Sequence, residues 1–508
     1  MSLVFNHEPA TMEDAQKARK SLVYEELFLF QEVILSRAKK RKGKASTEKI
    51  NSQAFVSEEA FLEKLSPLQK QFLDTLKFSL TDDQRKVIYE MNSEIDRSYT
   101  ERERILNQLE RGIPLPIRTS FSMARLLQGD VGSGKTLVSL FIALRILSWK
   151  GQCALMSPTE ILARQHAETT QTFLGSLGIR IAFLTGNLKA AGRNQLLKNL
   201  KNGDIDIIVG THALFSSNVI FKDLELVIID EQHRFGVQQR QSIIEKGRKT
   251  FHNFTFEPNL LMMSATPIPQ SLALSVFGDL DISTIHTKPL GRKDIQTFLV
   301  KEGNEINAYE EVRKELKKGH QSYFVYPAID SDENIKSAEK AFIHLRDKIY
   351  PQYKCELLHS KIDESKQIEI LQQFREGKIQ VLAATTVIEV GVDVPNATCM
   401  VIEQADRFGM AQLHQLRGRV GRGSEQSYCF LIYSKNITET GIERMKALRQ
   451  STDGFFIAEQ DLKTRGPGEL SGTLQAGALE FRIADLSKDM QIMEAARNDC
   501  LQLLNYAT

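Results

Sequence analysis

Two stretches of regular alternation constrain this chain more than anything else in it. From about Phe78 to Leu290, short apolar runs (ARLLQGD, CALMSP, IRIAFLTG, IDIIVGTH, LELVIIDE and NLLMMSAT) alternate with amphipathic segments. From about Gly291 to Gln450 the pattern restarts with QSYFVYP, KCELLHS, IQVLAATT, ATCMVIEQ and SYCFLIY. Apolar runs spaced by helical segments read as strands covered on both faces and joined by crossover helices. The pattern therefore predicts an α/β fold with two doubly wound parallel sheets in tandem.

The 508 residues leave room for flanking structure. Residues 1–75 are helical in pattern, with almost no strand signal, and read as a connector. Their basic run RAKKRKGK, Arg37 to Lys44, is either a solvated charged loop or an arm facing nucleic acid. Asn92 to Arg111 and the following GIPLPIRTS are charged or irregular and are expected to form a surface insertion over about 92–119. The expected divisions are a connector at 1–75, sheet domains at 76–290 and 291–450, and a C-terminal element at 451–508. That last region carries a glycine-rich loop, TRGPGELSGT.

Lys plus Arg number 66 against 64 Asp plus Glu, so any surface for a polyanion must come from clustering, not from net charge. Cys153, Cys355, Cys399, Cys429 and Cys500 form no C-x-x-C pair, which points to reduced core thiols and a cytoplasmic location. The most apolar helical stretch, Leu137 to Trp149, is too short for a bilayer and contains Arg145. MSLVFNHEPA lacks the features of a signal peptide, and no membrane partner is expected.

Chemistry enters at LLQGDVGSGKTLVSL, which fits G-x-x-x-x-G-K-[ST] as Gly129, Gly134, Lys135 and Thr136. Arg125 to Gln128 reads as a buried strand, and Asp130, Val131, Gly132 and Ser133 complete a loop whose N–H groups can face a phosphate. Lys135 would reach the β- and γ-phosphates of ATP and Thr136 would ligate Mg²⁺. The plain alternative is a glycine-rich turn, and a phosphate loop alone names a nucleotide without naming a job.

LELVIIDEQH supplies carboxylates at a strand's end: Asp230 would hold Mg²⁺ through water, and Glu231 would polarise the attacking water. QLRGRVGRG, in the second unit, presents Gln415, Arg417, Arg419 and Arg422. Arg419 and Arg422 are candidate arginine fingers, against the alternative of a solvated basic loop. With lysine and carboxylates in one unit and arginines in the other, hydrolysis would depend on closure.

In order and spacing, these motifs together with SAT at Ser264 to Thr266 resemble the superfamily 2 helicases. The fuller set of GDVGSGKT, PTEILARQH, GTHALF, DEQHRFGVQQR, SATPIPQSLAL, TTVIEVGVDVPNA, AQLHQLRGRVGRG and RGPGELSGT resembles the RecG family of fork-remodelling DNA translocases. The resemblance runs from about Phe78 to the C-terminus. It implies two RecA-like domains, ATP and Mg²⁺ as cofactors, a monomer, and action on duplex and branched DNA, such as stalled forks and Holliday junctions, in recombination and repair.

The resemblance assigns residues as follows. Gln84 matches an adenine-reading glutamine, although taken alone it is a polar residue near a helix start. Gly391 and Asp393 match positions that approach the nucleotide from the second unit. Ser264, Thr266 and His233 match positions that couple hydrolysis to domain movement. Thr159, Gly186, Thr211, His212, His359, Thr385 and Thr386 match positions that track the DNA backbone. Each lies after a strand's carboxyl end, where open α/β sheets bind ligands, and each hydroxyl also reads as a helix N-cap. Such a track suits phosphates, independent of sequence and sensitive to salt.

The C-terminal element resembles a translocation motif: a helical hairpin around Asp406 to Gln450, then a loop from Arg465 to Gly477. Arg465 and Gln475 are its lever candidates, or else residues making local hydrogen bonds. Gln270 and Leu474 stand where the family pattern has arginines. Nothing in residues 1–75 reads as the five-stranded wedge barrel of the family. The expectation is a motor portion that hydrolyses ATP on DNA and remodels forks poorly. The rival readings are a motor of the transcription-repair coupling factor or RNA helicase type, and a non-motor nucleotide-dependent DNA-binding protein.

Overall fold

The computed structural model describes residues 11–42, 56–112, 122–186, 190–231, 235, 237–251, 254–265, 280–287, 293–327, 332–385, 394–464, 481–485 and 488–506. Four helices come first: α1 (Met12–Lys42), α2 (Glu58–Lys64), α3 (Pro67–Thr75) and α4 (Asp82–Glu110). Ser57, Ser66 and Thr81 each accept the amide three residues on, and Ser66 with Gln69 and Thr81 with Gln84 close capping boxes.

The first sheet unit runs β1 (Ala124–Gly129), α5 (Lys135–Ser148), β2 (Gln152–Met156), α6 (Glu160–Leu174), β3 (Ile181–Leu184), α7 (Ala190–Asn202), β4 (Ile207–Gly210), β5 (Leu224–Ile229), α8 (Val237–Gly247), β6 (Lys249–Phe251), β7 (Phe254–Phe256), β8 (Asn259–Ser264) and β9 (Asp281–Ile285). Its seven strands are parallel in the order β3-β4-β2-β5-β8-β1-β9, and β6 and β7 form a separate antiparallel ribbon. Every residue of β1, β2, β4, β5 and β8 is buried, as strands covered on both faces require. α5 lies between this sheet and α3, with Phe141 and Phe72 ring centroids 4.8 Å apart.

The second unit runs β10 (Gln296–Lys301), α9 (Ile306–Lys317), β11 (Gln321–Val325), α10 (Asp332–His344), β12 (Cys355–Leu358), α11 (Glu364–Arg375), β13 (Val381–Ala384), β14 (Ala397–Ile402), α12 (Met410–Arg417) and β15 (Tyr428–Tyr433). Its six strands are also parallel, in the order β10-β15-β14-β11-β13-β12. α13 (Glu439–Gln450), α14 (Gly454–Thr464) and α15 (Met490–Tyr506) follow. The chain's ends clasp: α1 packs on α15, Arg19 grips Asp489 through two bonds, and Glu26 accepts the amides of Arg482, Ile483 and Ala484.

Two expectations differ from what is seen. Residues 92–110 are not a surface insertion but the second half of α4, with Asn92, Ile95, Ser98, Tyr99, Arg102 and Ile105 buried. There Arg102 donates to buried Glu225 at 2.6 Å, and Tyr99 stacks on Trp149 at 4.7 Å. The charged surface of this helix hides a core stripe at helical spacing. Asp406 to Gln450 is likewise not a helical hairpin, because strand β15 lies inside it; the adjoining helices are α13 and α14. Of the basic run, residues as far as Lys42 extend α1, and Lys39 Nζ donates to the Leu504 carbonyl at 2.7 Å. The five cysteines are buried and free. Among the described residues no helix is long and apolar enough to cross a membrane.

Candidate active site

The phosphate loop lies where β1 gives way to α5. Gly134 caps α5 with φ +89°, a left-handed conformation that glycine adopts without strain. A Cβ there would lie 2.3 Å from Gln84 Nε2, which donates to the Ser133 carbonyl at 2.8 Å. Gln84 thus closes the N-terminal box of α4 and buttresses the loop, so the cap reading and the site reading meet in one residue.

Lys135 is buried, its Nζ donating to the carbonyls of Gly129 at 2.7 Å and Asp130 at 2.8 Å. Burial pulls its pKa down against the raising influence of Asp230, Glu231 and Asp130, and the Arg422 charge adds to the lowering. Thr136 is half-buried in the first turn of α5, and Ser133 Oγ is buried with no hydrogen-bond partner among the described residues. An inward-facing lysine, an orphaned hydroxyl and a helix N-terminus fit a phosphate group.

Asp230 and Glu231 leave the carboxyl end of β5. Burial acts to raise the Asp230 pKa, but the His166 hydrogen bond, at 2.7 Å, and the His166 and Lys135 charges outweigh it and hold the carboxylate below its ordinary value. Glu231 has φ +50°, a left-handed backbone that costs a non-glycine residue about 1–3 kcal/mol and clusters at functional sites. Ser264, the last residue of β8, is 1% exposed.

The second unit closes over this loop through α12. Gly418 approaches so nearly that a Cβ would lie 2.9 Å from Val131 Cβ. His414 Nε2 lies 2.6 Å from Asp130 Oδ1, which also accepts the Val131 amide at 2.7 Å. Arg417 Nη2 lies 3.0 Å from His414 Nδ1. Arginine only donates, so this geometry has Nδ1 accept from Arg417 and Nε2 donate to Asp130. Arg417 Nη1 donates to the Leu448 and Ser451 carbonyls at 2.5 and 2.9 Å, at the end of α13. Gln415 and Arg419 are buried beside this network, and Arg422 is near enough for its charge to act on Lys135.

Sequence reasoning bet on neither His414 nor His166. Their signals were present: His414 and Arg417 stand three apart on one helix face, and His166 shares a face of α6 with buried Leu162, Ala163 and Thr170.

The described backbone-tracking candidates all follow strands. Thr159 follows β2, Gly186 follows β3, Thr211 and His212 follow β4, His359 follows β12 and Thr385 follows β13, each at a strand's carboxyl end. Thr159 also caps α6 by accepting the Leu162 amide. His212 and Gly186 are exposed, while Thr211 and Thr385 are buried. His233, Thr266, Gln270, Thr386, Gly391, Asp393, Arg465, Leu474 and Gln475 lie outside the described residues.

Two parallel sheets, a phosphate loop on one and an arginine-bearing helix of the other seated upon it, define a two-part nucleotide-binding protein of the helicase class. Residues 81–274 match the DEAD/DEAH box helicase family, and residues 307–424 match the helicase conserved C-terminal domain. Residues 451–507 match the family described as ATP-dependent DNA helicase RecG, domain 3, C-terminal. The ATP-dependent DNA helicase RecG of Treponema pallidum (strain Nichols) is 46% identical over 99% of this chain and 70% of its own length. That of Borreliella burgdorferi is 42% identical over 97% of this chain and 66% of its own length. A solved structure of RecG bound to a three-way DNA junction matches with a TM-score of 0.70 and 37% identity, over 97% of this chain and 59% of that one. The chain belongs to the RecG family of ATP-dependent DNA helicases. It spans about two thirds of the length of these relatives.

Proposed function

We propose that this chain is an ATP-driven motor that moves on double-stranded DNA and acts on branched DNA. The observation that carries the reading is the closure of α12 on the phosphate loop through His414 and Asp130. One sheet holds the phosphate loop and the other its cationic complement, so turnover is tied to the relative position of the two sheets. The division at residues 76–290 and 291–450 is proposed as the boundary of these moving parts, with 1–75 and 451–508 as flanking elements.

In the proposed cycle Lys135 leaves its carbonyls for the β- and γ-phosphates of ATP, and the loop amides and the start of α5 hold the phosphate chain. Asp230 and Thr136 would hold Mg²⁺, which supplies charge neutralisation at the phosphates when bound. Glu231 orients the attacking water. Arg419 and Arg422 stabilise the charge that spreads over the γ-phosphoryl oxygens, with Gln415 beside them. Ser264, Thr266 and His233 pass the change of state to the strand edge. Gln84 stays on the loop and reads the adenine, and Gly391 and Asp393 approach the nucleotide from the second unit.

DNA is proposed to run along the carboxyl edges of both sheets, past Thr159, Gly186, Thr211, His212, His359, Thr385 and Thr386, with Arg465 and Gln475 as the lever. Arg417 joins α12 to the end of α13, and α14 leads from there toward that loop. The test is the rate of ATP hydrolysis with linear duplex, forked duplex, single-stranded DNA and RNA. Branched or duplex DNA is expected to stimulate most; greater stimulation by RNA, or a rate indifferent to DNA, would overturn the reading.

A further inference from the structure

A cavity of about 390 Å³ opens in the second sheet unit, away from the phosphate loop, within the range of about 300–1,000 Å³ typical of small-molecule sites. Its position follows from topology. β14 and β11 are neighbours, yet the chain leaves β14 toward β15 on one side and leaves β11 toward β12 on the other. Divergent connections open a crevice at the carboxyl ends of the two strands, the usual binding place in open parallel sheets. Tyr326 and Pro327 follow β11, Glu403 and Gln404 follow β14, and all four line the cavity.

The lining is chemically specific. Tyr326 is 8% exposed, and its hydroxyl has no hydrogen-bond partner among the described residues. Glu403 accepts one bond, from the Tyr309 hydroxyl at 2.8 Å, and its side chain has no other among the described residues. Gln404 stands at φ +49°, a left-handed conformation rare outside glycine that marks functional segments. Arg407, exposed at the rim, makes no ion pair among the described residues. Aromatic and aliphatic walls, unspent hydrogen-bonding groups inside and an arginine outside match a flat polar base carrying a phosphate.

We propose that this crevice is a second nucleotide site, taking a base against Tyr326 and Glu403 and its phosphate at Arg407. The base comes either from DNA on the proposed track, a source that rests on the motor reading, or from a free mononucleotide. Burial, reinforced by Glu305 and Glu302 and opposed by the Tyr309 bond, pushes the Glu403 carboxyl up to about 7. Its neutral form can donate to a base as well as accept.

The test titrates the four deoxynucleoside monophosphates into the full chain, with the phosphate loop saturated by a non-hydrolysable ATP analogue, and reads binding by calorimetry and saturation-transfer NMR. A second arm places one 2-aminopurine in a gapped duplex and reads its fluorescence. The variants are Arg407→Ala, a surface change, and Ala341→Phe, which fills the cavity.

Mononucleotide binding weakened at least about tenfold by Arg407→Ala supports the site with a free ligand, since one charge-assisted phosphate contact carries that much. A 2-aminopurine signal lost in both variants supports it with a DNA base. Neither response in the wild type, or responses that both variants retain, overturns the proposal. DNA-stimulated ATPase measured alongside separates the two readings: its absence in the wild type sinks the motor reading and leaves the mononucleotide arm decisive.

Discussion

At the end of β1 the first sheet turns through a glycine loop onto a buried lysine, whereas at the end of β11 the second turns through Tyr326 and Pro327 into a cavity. Both sheets are parallel and both turns open on the same kind of edge. The difference lies in backbone chemistry. Gly134 reaches φ +89° and lets the loop amides converge, while Pro327 has no amide to offer a phosphate. The first turn is suited to a polyphosphate, the second to a body with a flat face. One plan of strands carries two chemistries because the residues that follow each strand set which groups face inward.

Lys135→Ala removes the only lysine on the phosphate loop and should abolish ATP turnover, by at least about 10³-fold, while DNA binding without nucleotide persists. Arg417→Ala leaves the Leu448 and Ser451 carbonyls and the His414 ring without their buried donor, at about 1–3 kcal/mol for each unmade bond. A lowered Tm together with slower DNA-stimulated turnover is the outcome expected; a change in neither would remove Arg417 from the closure network.

His414→Leu should reduce turnover by about tenfold, the value of one hydrogen bond to a charged group. His414→Gln, which can still donate to Asp130, should recover most of that loss. Equal losses in the two variants would show that bulk matters there and the bond to Asp130 does not.

The smallest effect concerns the second crevice. The Glu403 carboxyl titrates near 7 in the fold against an ordinary 4.5, so the folded chain binds more protons than the unfolded chain between those values. Stability from this group is full below pH 4.5 and is lost as pH rises through 7. Glu403→Gln should therefore flatten the slope, with Tm rising relative to wild type by roughly 1 °C per kcal/mol regained at pH 8 and little change at pH 5. Parallel pH curves for the two proteins would argue that Glu403 is not held neutral.

Much of the fold was legible because buried parallel strands are continuous apolar runs, and the phosphate loop was legible because its chemistry sits in one short segment. Edge strands β3 and β12 were legible in the same way, but edge strands β9 and β10 were not. β10 alternates exposed and half-buried residues, and β9 is only partly buried, so neither stands out as an apolar run. The second half of α4 was misread because Ile95, Tyr99 and Ile105 are spaced among charges, and Arg102 is itself buried against Glu225. The contact of His414 with Asp130 spans 284 residues, and no local pattern encodes which loop a distant helix will meet.

The most direct test of closure is Arg422→Ala, with ATP turnover on duplex DNA and nucleotide affinity measured side by side. If the second sheet completes the site, turnover falls by about 10³-fold or more, as for other arginine fingers, while affinity stays within a few-fold. Wild-type turnover in this variant would contradict the account, because the phosphate loop would then be hydrolysing ATP without its partner sheet.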